Sequence, residues 1–209
     1  DAIYCTATAT DSVGEMDSDS TLVSIDNTAP VITDVTISPS PGYNDSSLTC
    51  IVTASDADGQ SLSSSFSWLN IDTGAALGIG PTLNLSAISA STTDVIRCTA
   101  QVTDSSGDSD TGTGELIISN RAPSVSSVTV TPSVGVLTST VLTCSATSID
   151  PDDDVTSFGY VWTNNGNTIG SDSRLSLTPS NSQPSDIIMC TATVTDSNSA
   201  TGSDTATIQ

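Results

Sequence analysis

The chain contains no lysine and no histidine, and its basic side chains are Arg97, Arg121 and Arg174 alone. Without an imidazole there is no Ser-His-Asp triad, no histidine general base and no histidine metal ligand. Without lysine there is no Schiff-base chemistry and no lysine-derived isopeptide crosslink. Twenty-four acidic residues leave a net charge of −21. Such a chain repels phosphate backbones and anionic lipid, so neither nucleic acid nor direct membrane insertion of this segment is expected. Aromatic residues make up only 3% of the sequence, and no segment has sustained helical periodicity.

Serine and threonine supply roughly a third of the residues. That balance disfavours helices and suits short strands with solvated outer faces. So polar a chain invites a disordered reading, which the alternating apolar positions oppose. Leu48, Cys50, Val52 and Ala54 fall on one face of a strand, as do Ile96, Cys98, Ala100 and Val102. Ile188, Cys190, Ala192 and Val194 repeat the pattern, and Ile3, Cys5, Ala7 and Ala9 begin it. Turn-forming Asp, Gly, Ser and Pro separate such stretches every 8 to 12 residues or so, the spacing of an all-β sandwich.

The cysteines and tryptophans set a longer period. Cys50, Trp68 and Cys98 recur as Cys144, Trp162 and Cys190 at offsets of 94, 94 and 92, and Cys5 precedes Cys98 by 93. A fixed period of this size marks tandem copies of one small domain. The division is 1–26, the last two strands of a preceding copy, then complete copies at 30–119 and 123–209. Strands of the first complete copy are predicted at Val31–Ile37, Ser47–Ala54, Ser65–Asn70, Ala76–Gly78, Thr82–Leu85, Val95–Thr103 and Thr113–Ser119. The joints Asp26-Asn27-Thr28-Ala29-Pro30 and Ser119-Asn120-Arg121-Ala122-Pro123 are short and proline-stiffened, which favours a semi-rigid rod. A domain of about 90 residues has little core and usually needs a staple. With no CxxC or zinc-like spacing, the cysteines read as a disulfide framework in an oxidising compartment. A redox role is disfavoured, since the cysteines lie on apolar strand faces with no basic residue on the same face to lower a thiol pKa. Cys5 has no partner within 1–26. Either the chain is an excerpt of a longer array or a neighbouring subunit supplies the missing strands. The complete pattern from Ser124 through Thr205-Ala206-Thr207-Ile208 favours the excerpt.

Cys50…Trp68…Cys98 and Cys144…Trp162…Cys190 resemble the pattern of immunoglobulin-like domains. The resemblance implies an all-β chain of tandem immunoglobulin-like β-sandwiches, about seven strands each. It also implies one disulfide per repeat between strands B and F, Cys50 with Cys98 and Cys144 with Cys190, and core positions for Trp68 and Trp162 against those bridges. Cys5 would pair outside the first fragment. Ile3, Ile96 and Ile188 stand where antibody-type domains carry a tyrosine two residues before the second cysteine, so that branch is disfavoured.

An aspartate follows each of these cysteines by six residues: Asp11, Asp56, Asp104, Asp150 and Asp196. The B–C turns add Asp58 and Asp152 at +8, with Asp153 and Asp154 alongside. In an immunoglobulin-like sandwich the B–C and F–G loops share the end where strand A enters. Asp56, Asp58 and Asp104 are therefore expected near Asp26 and Asn27. Asp150, Asp152, Asp154 and Asp196 are expected near Asn120. Clustered carboxylates repel unless neutralised, and calcium, with six to eight oxygen ligands in loose geometry, fits such a set. The stretch Val52 to Gly59 and the linker Asn27-Thr28-Ala29-Pro30 resemble cadherin-like and polycystic-kidney-disease-like repeats of large microbial surface proteins. In cadherins, equivalent motifs hold calcium between domains. The glutamate ligands of cadherin strands A and C are absent, as is the Asp-Gly motif of the other family after Trp68. An EF-hand is excluded because Ser67 occupies the twelfth position. Two readings compete with calcium: turn capping by Asp, and a merely solvated or salt-adapted surface. At the second joint Arg121 offers internal neutralisation. Asn44-Asp45-Ser46 and Asn84-Leu85-Ser86 fit the N-glycosylation pattern.

The expected role is that of a structural module in a long extracellular tandem-repeat protein, a stalk, fibre or filament on or outside a microbial cell. Its partners would be neighbouring repeats of the same protein and other copies in a filament. An adhesin whose repeats bind a glycan or protein is the alternative, with Tyr43, Phe158 and Tyr160 as the aromatic candidates. A non-catalytic spacer of a larger secreted enzyme is a further one. Catalysis is not expected, because the carboxylates repeat with every domain on turns rather than converging as a dyad in a cleft.

Overall fold

The computed structural model describes residues 2–85 and 90–209, so Asp1 and Ser86, the latter part of the second glycosylation triplet, lie outside the described residues. Among the described residues there are sixteen strands, and the protein is all-β. They begin with the hairpin β1 (Ala2–Thr10) and β2 (Met16–Ser24). The first sandwich holds β3 (Val31–Ser38), β4 (Ser47–Ser55), β5 (Ser63–Asn70), β6 (Ala76–Ile79), β7 (Thr82–Asn84), β8 (Val95–Thr103) and β9 (Ser109–Ile117). The second holds β10 (Ser124–Thr131), β11 (Val141–Ile149), β12 (Ser157–Asn164), β13 (Asn167–Gly170), β14 (Arg174–Ser176), β15 (Ile188–Thr195) and β16 (Thr201–Ile208). Each sandwich packs a three-stranded sheet, β3-β4-β7 or β10-β11-β14, on a four-stranded one, β6-β5-β8-β9 or β13-β12-β15-β16. This is the immunoglobulin-like arrangement of strands A, B and E against C′, C, F and G.

Period-two burial builds the core. Along β8, Ile96, Cys98, Ala100 and Val102 are buried, and along β15 Ile188, Cys190, Ala192 and Val194 are. Cys50 is bonded to Cys98 and Cys144 to Cys190 across the two sheets. Trp68 and Trp162 join the buried clusters around those bridges. Each indole N–H remains satisfied in the core, donating to the carbonyl of Gly80 at 2.9 Å or of Asp172 at 2.7 Å.

The last strand of the first sandwich starts at Ser109, four residues before the predicted Thr113. The apolar alternation starts late because the inward positions of β9 before Leu116 are Asp110, Gly112 and Gly114, paired with Val102, Ala100 and Cys98. These positions admit strand A. A Cβ at Gly114 would lie 2.6 Å from the carbonyl oxygen of Val35, and Asp110 accepts the amide of Ile32 at 2.8 Å. Glycine here permits a close backbone approach rather than marking a turn.

The β1–β2 hairpin is paired along its length, from Ala2 opposite Ser24 to Thr10 opposite Met16. No second sheet covers it among the described residues, so both strands are exposed throughout. Ile3, Cys5 and Val23 thus face outward, whereas their counterparts Ile96, Cys98 and Leu116 are buried.

Candidate functional site at the joints

The aspartates at +6 organise their own loops. Asp11, Asp56, Asp104, Asp150 and Asp196 each turn Oδ1 to backbone amides two to four residues on. Asp104 alone accepts from Ser106, Gly107 and Asp108 at 2.8–3.0 Å. A short carboxylate that caps its own turn explains why the residue recurs at every B–C and F–G corner.

The second carboxylate oxygens meet the linkers. Asn27 donates through Nδ2 to Asp104 Oδ2 at 2.9 Å and to Asp108 at 2.7 Å, and Thr28 N donates to Asp58 Oδ2 at 2.7 Å. The second joint repeats the latch: Asn120 Nδ2 donates to Asp196 Oδ2 at 2.9 Å, and Arg121 N to Asp152 Oδ2 at 2.5 Å. Pro30 and Pro123 are buried just beyond. Each linker is thereby fixed to the top of the sandwich that follows it. The Asn27 amide, opposed by burial and helped by the loop amides, holds the Asp104 carboxyl below the usual carboxylate range. Asn120 does the same for Asp196.

Arg121 extends the second latch across the joint. Its guanidinium contacts Asp152, whose side chain is fully buried, at 2.7 Å, and Asp45 of the first sandwich at 3.1 Å. It also donates to Asn44 Oδ1 and Pro151 O, and its carbon lies 4.7 Å from the ring centre of Tyr43. Burial opposes the charge, but Asp152 and Asp45 outweigh it and keep the Arg121 pKa above its ordinary value. Around this hub, Asn44 Nδ2 donates to the Asp152 carbonyl at 2.7 Å. Asn198 Nδ2 donates to Thr92, Asp154 and Asn120. The two sandwiches therefore meet through a connected polar network with a single guanidinium at its centre.

Asp56, Asp58 and Asp104 all belong to the first joint, and Asp150, Asp152, Asp154 and Asp196 to the second. They are separated there by N–H donors: among the described residues, no group of three acidic or cysteine side chains is placed to hold a metal ion. Asp26, Asn27, Asp58, Gln60 and Ser106 line an open cleft of about 400 Å³ at the first joint. The buried Oδ2 atoms of Asp56 and Asp150 have no hydrogen-bond partner. The two atoms occupy equivalent places in the two repeats.

No family model matches the chain, and no curated protein matches it. Among solved structures it is similar to a 1.5-MDa bacterial ice-binding adhesin at 14% identity and a TM-score of 0.37, covering 88% of this chain and 65% of that one. A tetra-tandem repeat from the extending region of a large adhesion protein gives 16% identity and 0.39, over 99% and 55%. A Ca2+-stabilized adhesin of an Antarctic bacterium gives 16% and 0.35, over 100% and 56%. The chain thus spans a little over half to two thirds of those chains.

The remaining candidates fall into place around those joints. Tyr43 lies under Arg121, and Phe158 and Tyr160 stack on each other at 6.1 Å on the inward side of β12, with Tyr160 against the core. Asn44, a glycosylation candidate, has its amide engaged by Asp152 and Arg121. Asn84 ends β7. Among the described residues no helix is long and apolar enough to cross a membrane. Sequence reasoning missed Asn44, Asp45, Thr92 and Asn198 as joint residues. Asn198 had a readable signal, because it stands eight after Cys190, where the B–C loops carry Asp58 and Asp152. The others sit on A–B and E–F loops that have no cysteine-linked period.

Proposed function

We propose that these residues are consecutive modules of a long extracellular repeat protein that spans distance as a stalk, fibre or filament on or outside a microbial cell. One observation carries the reading: the joints are built, with Asn27 and Asn120 latched to Asp104 and Asp196 at equivalent places and Arg121 bridging the two sandwiches at the second joint. A chain built to hold its modules at a set angle is suited to transmitting extension, and one disulfide per sandwich suits an oxidising exterior. Antibodies against this segment should decorate projections on intact cells of the source organism in immunogold microscopy. Labelling confined to the interior of opened cells would refute the proposal.

Calcium at the joints is a separate part of the proposal and rests on the unpartnered Asp56 and Asp150 oxygens. Oxygens of Asp26, Asn27, Asp56, Asp58 and Asp104, or of Asn120, Asp150, Asp152, Asp154 and Asp196, would hold the ion, which would supply the neutralising positive charge. Extracellular modules bind calcium at about 0.1–1 mM. Calorimetry in millimolar calcium is expected to show a higher melting temperature than in chelator, and an unchanged one removes calcium from the reading.

A further inference from the structure

The three arginines differ in their partners. Arg97 pairs with Glu115, and Arg121 with Asp152 and Asp45. Arg174 alone makes no ion pair and no side-chain hydrogen bond among the described residues, in a chain with 24 acidic side chains. It pairs with Thr143 at the edge of the three-stranded sheet of the second sandwich. Thr143 lies between the buried Leu142 and Cys144, so alternation turns this row outward, and Arg174 is exposed. It is the only charged residue in β10, β11 and β14.

The equivalent sheet of the first sandwich carries the opposite charge. Asp34 is the only charged residue in β3, β4 and β7. It pairs with Thr53 on the outer face and is exposed, and its carboxylate has no hydrogen-bond partner among the described residues. Each face also leaves branched apolar side chains in water. Val31 and Ile51 on the first, and Val141 and Ile149 on the second, are between 43% and 62% exposed. Laid antiparallel, the faces match by row. On the first, the pair Val31–Ser55 is followed by Asp34–Thr53. On the second, read from its other end, Val141–Ser176 is followed by Thr143–Arg174. Valine comes level with valine at the end of the contact, and carboxylate with guanidinium one row further in.

We propose that the three-stranded face of the first sandwich docks, strands antiparallel, on the three-stranded face of the second sandwich of another copy of this chain. The inference rests on the reading of the chain as a module of a fibre or filament. The two sandwiches of one chain meet end to end through Arg121 and Asn198, which leaves their sheet faces for a second chain. Two chains of net charge −21 repel overall, whereas this pair of faces sums to zero. At about 4.8 Å between strands and about 3.4 Å per residue, the strands of one face cover roughly 300 Å². A pair of faces thus buries about 600–700 Å², below the about 1,200–2,000 Å² of a stable interface. The contact between two chains is therefore weak, and it strengthens as face pairs add along a fibre.

Sedimentation equilibrium of the whole chain, from micromolar to millimolar at physiological ionic strength, is expected to show this weak self-association. Arg174→Asp and Asp34→Arg should each weaken it by roughly fivefold or more, because an ion pair becomes a like-charge pair. Asp34→Arg also reduces the net charge, so a response governed by overall repulsion would strengthen association instead. Exchanging both residues in one chain should restore the parental constant. Where a reversal lowers the melting temperature of its own sandwich, Arg174→Gln and Asp34→Asn replace it and should weaken association in the same sense. A chain monomeric throughout, single changes without effect, or a double exchange that fails to restore association would overturn the pairing. The last of these would assign the two faces to a partner other than a second copy. All three leave the cell-surface reading standing, because immunogold labelling does not depend on these faces.

Discussion

Replacing Arg121 by threonine, the residue at the same place in the first linker, separates two energies that the structure keeps on different sides of one guanidinium. Within the second sandwich, Arg121 neutralises Asp152, whose side chain is fully buried. Stripping the partner from a buried carboxylate costs about 3–5 kcal/mol. The arginine side chain is itself 27% exposed, so water reaches the site and the cost falls to about 2–3 kcal/mol. The Arg121 backbone amide on Asp152 survives the change. Across the joint, the contact with the exposed Asp45 is worth about 0–1 kcal/mol and the Tyr43 face about 0.5–1 kcal/mol. Together they amount to about 0.5–2 kcal/mol, a factor of about 2–30 in the docked population. Calorimetry of Arg121→Thr should lower the melting temperature of the second sandwich by about 10–20 °C, given about 4–8 °C per kcal/mol for a domain of this size. Small-angle scattering should show a broader range of interdomain angles. Tyr43→Ala with Asp45→Ala should widen the angles and leave the melting temperature in place. If Arg121→Thr melts and scatters like the parent, the guanidinium hub does not hold the joint.

Reduction of the Cys50–Cys98 bond opens a loop with a sequence separation of 48, worth about 4 kcal/mol in the chain-entropy model. Urea unfolding followed at Trp68 in Trp162→Phe should move to markedly lower denaturant with reductant present, and an unmoved midpoint would count against that stabilisation. Asp104 and Asp196 have folded pKa values below the ordinary carboxylate value. Their contribution is accordingly complete above an unfolded pKa of about 3.9 and disappears as pH falls through the lower folded values. In carboxyl NMR titrations, Asn120→Ala should move the Asp196 inflection upward towards the ordinary value while Asp104 stays low. An unmoved Asp196 would show that the linker amide is not the cause.

The sequence alone determined the repeat, the strands and the sheet faces. Period-two burial is local, and a cysteine or tryptophan recurring at a fixed offset needs no third dimension to be seen. The same locality explains the misplaced start of β9. Gly112 and Gly114 serve an inward face without being apolar, and only the crossing of strand A over them gives the reason. The +6 aspartates were equally visible, but their partners were not. Whether such a carboxylate meets a cation, an amide or its own loop depends on which N–H groups the fold brings within about 3 Å. Tertiary structure supplied Asn27 and Asn120 as latches and drew Asn44, Asp45 and Tyr43 from the opposite end of the first sandwich onto Arg121. A hydrogen bond between residues more than seventy positions apart leaves no local pattern in the chain, so the modules could be read from the sequence while the joint between them required the fold.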